Sequence, residues 1–300
     1  MQNFLGNIRA TFIVYILFHN VLHAEIIQET VLPLKFNTGN EVHGLPSCSI
    51  KIQGKDIPVI LDTGASKYEL ALSRYALKNI KVVYHSKKEC SKTISSEFCA
   101  ETFIIPELKI GTFFLYNVKG IIMPKLWGGN DANFKYTEAS KNGVIGLRLL
   151  LHYGLLLDYA NSRAILTKAN LPPQNYDITS WIKIPFNFQG GILTTAKING
   201  EIKKLIWDTG ANPSIIRATD MISKSSMPCP RDAYYNESGC SVIKTQQFSI
   251  NKEIIPNNWF MLSSLDKSIP FDGFVGSNYY EKNVLFFDFN NKLIYIQKNE

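Results

Sequence analysis

The chain carries an internal repeat, and that repeat limits what it can fold into more than any other feature. Residues 49–66 (SIKIQGKDIPVILDTGAS) align with residues 195–212 (TAKINGEIKKLIWDTGAN) at a constant offset of 146, so that Asp62-Thr63-Gly64-Ala65 falls on Asp208-Thr209-Gly210-Ala211 without a gap. A second block follows in each half: NGVIG (142–146) matches DGFVG (272–276) at an offset of 130, and LLLDYAN (155–161) matches LFFDFNN (285–291) at the same offset. The first half therefore has 16 extra residues (146 − 130) between its blocks. Two blocks in the same order within each half mark a duplicated structural unit.

Each copy reads locally as a β-hairpin. An alternating strand reaches a turn at Gly54 or Gly200, and an apolar strand then runs into DTGA. Elsewhere short β-type runs are broken by Gly, Asn and Pro, and helical periodicity is confined to stretches near 73–78 and 147–152. The expectation is an all-β protein of two similar lobes, 25–173 and 174–300, divided near Leu171-Pro172-Pro173-Gln174, where two prolines stop a central strand.

At the N-terminus, Arg9 precedes a short apolar run (TFIVYILF, 11–18) and a small residue, Ala24, follows. Residues 1–24 thus read as a secretory signal peptide, too short in their apolar part to span a bilayer. The expected location is secreted or periplasmic, with no stable membrane insertion after cleavage; an uncleaved segment would leave the protein tethered to the membrane. In an oxidising compartment the close pairs Cys90/Cys99 and Cys229/Cys240 read as disulfides, leaving Cys48 over. No CxxC pair or His-rich cluster accompanies them, so neither a metal nor an organic cofactor is expected. The net charge of +7 is spread along the chain in short pairs such as Lys87-Lys88 and Lys203-Lys204, which reads as a solvated basic surface and not a nucleic-acid site.

The twin motifs carry the chemistry. Two carboxylates held close together cannot both ionise cheaply and share one proton; the ionised one can then draw a proton from water while the other donates to a carbonyl. ILDTGAS (60–66), IWDTGAN (206–212), VIG (144–146) and FVG (274–276) resemble the motifs of retropepsin-like and pepsin-like aspartic proteases. The resemblance covers roughly residues 34–296 and is that of a pepsin-like fusion of two lobes with retropepsin-type local motifs. It implies a bilobal acid-protease fold acting as a monomer on a polypeptide substrate, with Asp62 and Asp208 as catalytic pair. It further implies that Thr63 and Thr209 lock the loops together, that Gly64 and Gly210 allow close approach, and that each VIG-type segment packs behind its own loop. By the same resemblance the cysteine pairs fall where a flap covers the cleft, which brings Tyr84, Tyr234 and Tyr235 near substrate; stapling of ordinary surface loops is the other reading.

Ala65 and Ala211 offer no hydroxyl to a carboxylate, so the dyad is expected to be less acidic than in pepsin-like enzymes. Trp207 either distorts its strand or fills the core, and Asn212 replaces Ser66, so the aspartates are not equivalent. Those two residues support the alternative of a catalytically inactive protein that keeps the cleft for binding peptides. Asp158 and Asp288, which also repeat, read as the polar ends of buried strands turning through Asn161 and Asn291. The chain has no G-x-S-x-G, H-E-x-x-H or phosphate-loop motif.

Overall fold

The computed structural model describes residues 28–36, 44–92, 97–123, 137–219, 226–229 and 240–298. The expected signal peptide and the two tyrosines Tyr234 and Tyr235 lie outside these residues. The protein is all-β, and its described residues form three sheets: one of eight strands from the first half, a large one from the second half, and a six-stranded sheet built from both.

Both hairpins that lead into DTGA form as the repeat requires. Pro46–Ile52 pairs antiparallel with Lys55–Asp62, and Ile192–Ile198 pairs with Glu201–Trp207. The two-residue connections, Gln53-Gly54 and Asn199-Gly200, have positive φ at both positions (50° and 80°; 46° and 95°). That is the type I′ geometry, whose twist matches the strands it joins, and the second position is glycine in each case because it tolerates φ > 0.

Each motif strand then takes a parallel neighbour from its own half. Ile60–Asp62 pair with Val144–Gly146, and Leu205–Trp207 pair with Gly273–Val275. Both central strands are buried along their ends, which explains their continuous apolar character where alternation would mark a half-exposed strand. A single turn of helix follows each glycine of the repeat, at Leu147–Leu150 and Ser277–Tyr280. The second of these and Glu138–Asn142 were not expected from periodicity, while 73–78 forms turns instead of a helix. Four-residue segments hold too little pattern to register.

The halves meet in the six-stranded sheet, in the order Glu29–Pro33, Arg163–Thr167, Gly154–Asp158, Leu285–Asp288, Leu293–Ile296, Ile182–Pro185. Its centre is an antiparallel pairing of the second repeat block with itself, in which Leu156 faces Phe286. These residues are 130 apart, the offset of the repeat, so the pseudo-two-fold axis passes through this pair. The core runs without a break from the first half through this sheet into the second. The chain crosses between halves through 168–181, which hold no strand.

Asp158 and Asp288 end the two central strands. Each accepts the backbone and side-chain amides of Asn161 (3.1 and 2.8 Å) or Asn291 (3.0 and 2.7 Å), closing matching turns. Lys203 departs from the expected solvated surface. Strand alternation turns it inward, it is only 5% exposed, and it pairs with Glu201, which also accepts from Thr219 (3.1 Å). A buried ammonium needs such a partner. No helix among the described residues is long and apolar enough to cross a membrane.

Candidate active site

The two DTGA loops meet at the junction of the halves and are tied across it by four buried hydrogen bonds. Thr63 donates its hydroxyl to the carbonyl of Trp207 (2.9 Å) and accepts from the amide of Thr209 (3.0 Å). Thr209 does the same in return, donating to the carbonyl of Leu61 (2.6 Å) and accepting from the amide of Thr63 (3.0 Å). Both threonines are fully buried, so these bonds also satisfy backbone groups that water cannot reach.

The glycines serve the same junction. A Cβ on Gly210 would sit 2.7 Å from the Asp62 carboxyl carbon, and one on Gly64 would overlap the Asp208 carboxylate. Each glycine therefore makes room for the aspartate of the opposite half, a packing requirement that no single motif reveals. Within its own loop, Asp62 Oδ1 accepts from the amides of Gly64 (2.8 Å) and Ala65 (3.0 Å), and Asp208 Oδ1 accepts from Gly210 (2.7 Å). Oδ2 of Asp62 is buried and finds no hydrogen-bond donor among the described residues. Ala65 could supply none from its side chain.

These surroundings set the acidity. Burial holds the Asp62 carboxyl well above its ordinary range, the neighbouring charge of Asp208 adds to this, and the loop amides oppose both. Asp208 is likewise raised by exclusion of water, with the Gly210 amide pulling the other way. The pair binds a proton at pH values where an isolated aspartate would not, and it titrates as a unit.

Behind each loop the VIG-type segment packs as anticipated. Leu147 donates its amide to Ala65 O (2.9 Å) and Ser277 to Ala211 O (3.0 Å). Trp207 fills the core of the second half. It is fully buried, its indole N–H donates to Thr194 Oγ1 (3.0 Å), and its ring stands edge-on to Tyr279 at 5.4 Å. The strand it ends is regular, and its carbonyl serves the junction as that of Leu61 does. Asn212 accepts from Ser277 Oγ (2.7 Å), whereas Ser66 donates to Gly190 O (2.9 Å). The loops therefore differ at their outer edges.

A long hairpin, Val83–Lys92 with Glu97–Ile110, carries the disulfide Cys90–Cys99 between directly opposed residues. The second disulfide, Cys229–Cys240, ties the pairing of Met227–Pro228 with Ser241–Lys244. Cys48 is buried and free, and burial pushes its thiol up to about 12. On the hairpin, His85 and Thr102 line a cavity of about 400 Å³, together with Tyr68 and Arg148. Tyr84 alternates to the other face, is 54% exposed, and does not line that cavity. Sequence reasoning missed Tyr68. It lies six residues after Asp62, packs against the apolar cluster that contains Ala65, and is held protonated by burial and by the charge of Asp62. Among the described residues no cluster of His, Cys, Asp and Glu could hold a metal ion.

Residues 48–149 match the family model described as Aspartyl protease. Among solved structures, the crystal structure of basic 7S globulin from soybean superposes with a TM-score of 0.59 at 11% sequence identity, covering 91% of this chain and 95% of that one. At that identity the likeness speaks for the fold, which is the bilobal pepsin-like one. No curated protein matches this chain in sequence.

Proposed function

We propose that the chain is an aspartic endopeptidase that hydrolyses peptide bonds with a water activated between Asp62 and Asp208. The observation that carries this reading is a pair of carboxyls, one from each half, held together by reciprocal buried threonine bonds and both raised in pKa. One shared proton makes the pair acid and base at once. The ionised carboxylate takes a proton from water as it attacks the scissile carbonyl, and the protonated one donates to the carbonyl oxygen. An extended peptide would lie between the halves and add its backbone to the hairpin edge, with alternate side chains directed into pockets.

One chain supplies both halves of the site, so the active species is a monomer built of lobes 25–173 and 174–300. The two disulfides fit an oxidising compartment, in keeping with removal of residues 1–24 as a signal peptide and a secreted or periplasmic location. With no hydroxyl at Ala65 or Ala211, activity falls in the mildly acidic to neutral range; an optimum below about pH 3 would contradict this. The test is digestion of casein by the wild type, Asp62→Asn and Asp208→Asn across pH, with and without pepstatin. Cleavage confined to the wild type and blocked by pepstatin is the expected result. A wild type as inert as both variants would leave a peptide-binding protein that keeps the cleft.

A further inference from the structure

The two halves differ just behind their DTGA loops, and the first has a cavity there. By the repeat offsets Tyr68 corresponds to Ser214 and Arg148 to Asn278. In the second half that region is closed by a buried polar network. Asn278 accepts from the Ser214 amide (2.7 Å) and donates to Asn258 Oδ1 (2.8 Å) and to the carbonyl of Trp259 (2.9 Å). Ser214 Oγ in turn accepts from Asn258 (2.9 Å) and from the Gly276 amide (2.8 Å). In the first half the amide of Gly146 bonds to the Glu69 carbonyl (2.8 Å) and Arg148 points outward, exposed. Arg148 and Tyr68 line the cavity of about 400 Å³, and an adjoining recess of about 280 Å³ that shares both residues reaches the hairpin disulfide at Cys90.

Its position and charge are both informative. Tyr68 lines the recess and also packs against the apolar cluster that contains Ala65, so the recess adjoins the first DTGA loop. The recess is walled by Lys67 and Arg148 against the single carboxylate of Glu89. The wider cavity adds Lys119, His85 and Glu69, and the Glu69 carboxylate already accepts the Lys119 amide (2.7 Å). Neither Lys67 nor Arg148 forms an ion pair among the described residues. Two unpaired cations beside one carboxylate leave a net positive recess with planar guanidinium donors, which suits a carboxylate ligand.

We infer that this recess is a specificity site that takes an acidic side chain, Asp or Glu, of the peptide substrate, with Arg148 and Lys67 as the residues that read it. The inference rests on the endopeptidase reading for its biological meaning, and its test separates the two. Wild-type protein is given a proteome-derived peptide library, and the residues around each cut are counted by mass spectrometry. In parallel, the Asp208→Asn protein is titrated with fluorescent extended peptides that differ only by Glu or Gln. Acidic residues should be enriched near the cut, and the Glu peptide should bind about 3–10-fold more tightly at low salt, falling towards parity in high salt. Arg148→Gln should remove the preference, and Arg148→Glu with Lys67→Glu should shift it towards lysine; both positions are exposed, so the fold is spared.

Cleavage without acidic enrichment, or a preference unchanged in Arg148→Gln, overturns the inference and leaves the protease standing. Preferential binding of the Glu peptide without cleavage of any peptide does the reverse. A preference for basic residues would assign the recess to Glu89 instead. A protein that neither binds nor cuts peptides sinks both.

Discussion

Replacing Thr63 by Val removes one hydroxyl at the centre of the molecule and leaves its shape nearly unchanged. The side chain is fully buried, so no cavity forms and no water enters to compensate. Two groups of the opposite half lose their partners: the Trp207 carbonyl, which accepted from Thr63 Oγ1, and the Thr209 amide, which donated to it. A buried unpaired polar group costs about 1–3 kcal/mol, so the substitution should destabilise the junction by about 2–6 kcal/mol. Thr63→Ser keeps the hydroxyl and loses only a methyl, for a cost of about 1 kcal/mol. The comparison is made by equilibrium urea unfolding followed by tryptophan fluorescence, to which the buried Trp207 contributes directly at the junction. The Thr63→Val/Thr209→Val double variant should cost less than the sum of the singles, because the junction opens once either side is lost. A Thr63→Val protein within about 0.5 kcal/mol of the wild type, or indistinguishable from Thr63→Ser, would refute the view that these bonds hold the halves together.

Three further outcomes follow from the same geometry. Because folding raises the Asp62 carboxyl above its unfolded value, its contribution is fully present below the unfolded pKa and is lost as pH rises through the folded one. Asp62→Asn should therefore melt higher than the wild type at neutral and alkaline pH, with the difference vanishing in acid below the ordinary carboxylate range; a constant difference across a pH series of thermal melts would contradict the shift. Gly64→Ala places a methyl against the Asp208 carboxylate, and should cost about 1–3 kcal/mol and abolish casein cleavage, whereas Gly54→Ala, where a Cβ meets nothing, should cost only the backbone strain of its positive φ. Cys90→Ser/Cys99→Ser should lower stability by about 2–3 kcal/mol and raise amide hydrogen exchange in the hairpin, and unchanged exchange would deny the disulfide its restraining role.

The hairpins, the turns at Gly54 and Gly200, the all-β class and the position of the two aspartates can all be read from the order of residues alone. Those features follow from alternation, turn chemistry and repetition, which act over a few residues and leave their mark in the order of the side chains. Tyr68 against Ser214 and Arg148 against Asn278 lie just outside the repeated blocks, where the halves no longer match and repetition carries no signal. Contacts between partners far apart in the chain emerge only once it has folded. The glycines make room for the aspartate of the other half, Trp207 packs into the second core without bending its strand, and Lys203 is buried against Glu201 instead of solvated. Thr63 and Thr209 are 146 residues apart, and nothing in the residues around either one specifies the other's backbone as its hydrogen-bond partner. That choice is made by the central sheet, where Leu156 meets Phe286 and fixes the axis about which the two loops face each other.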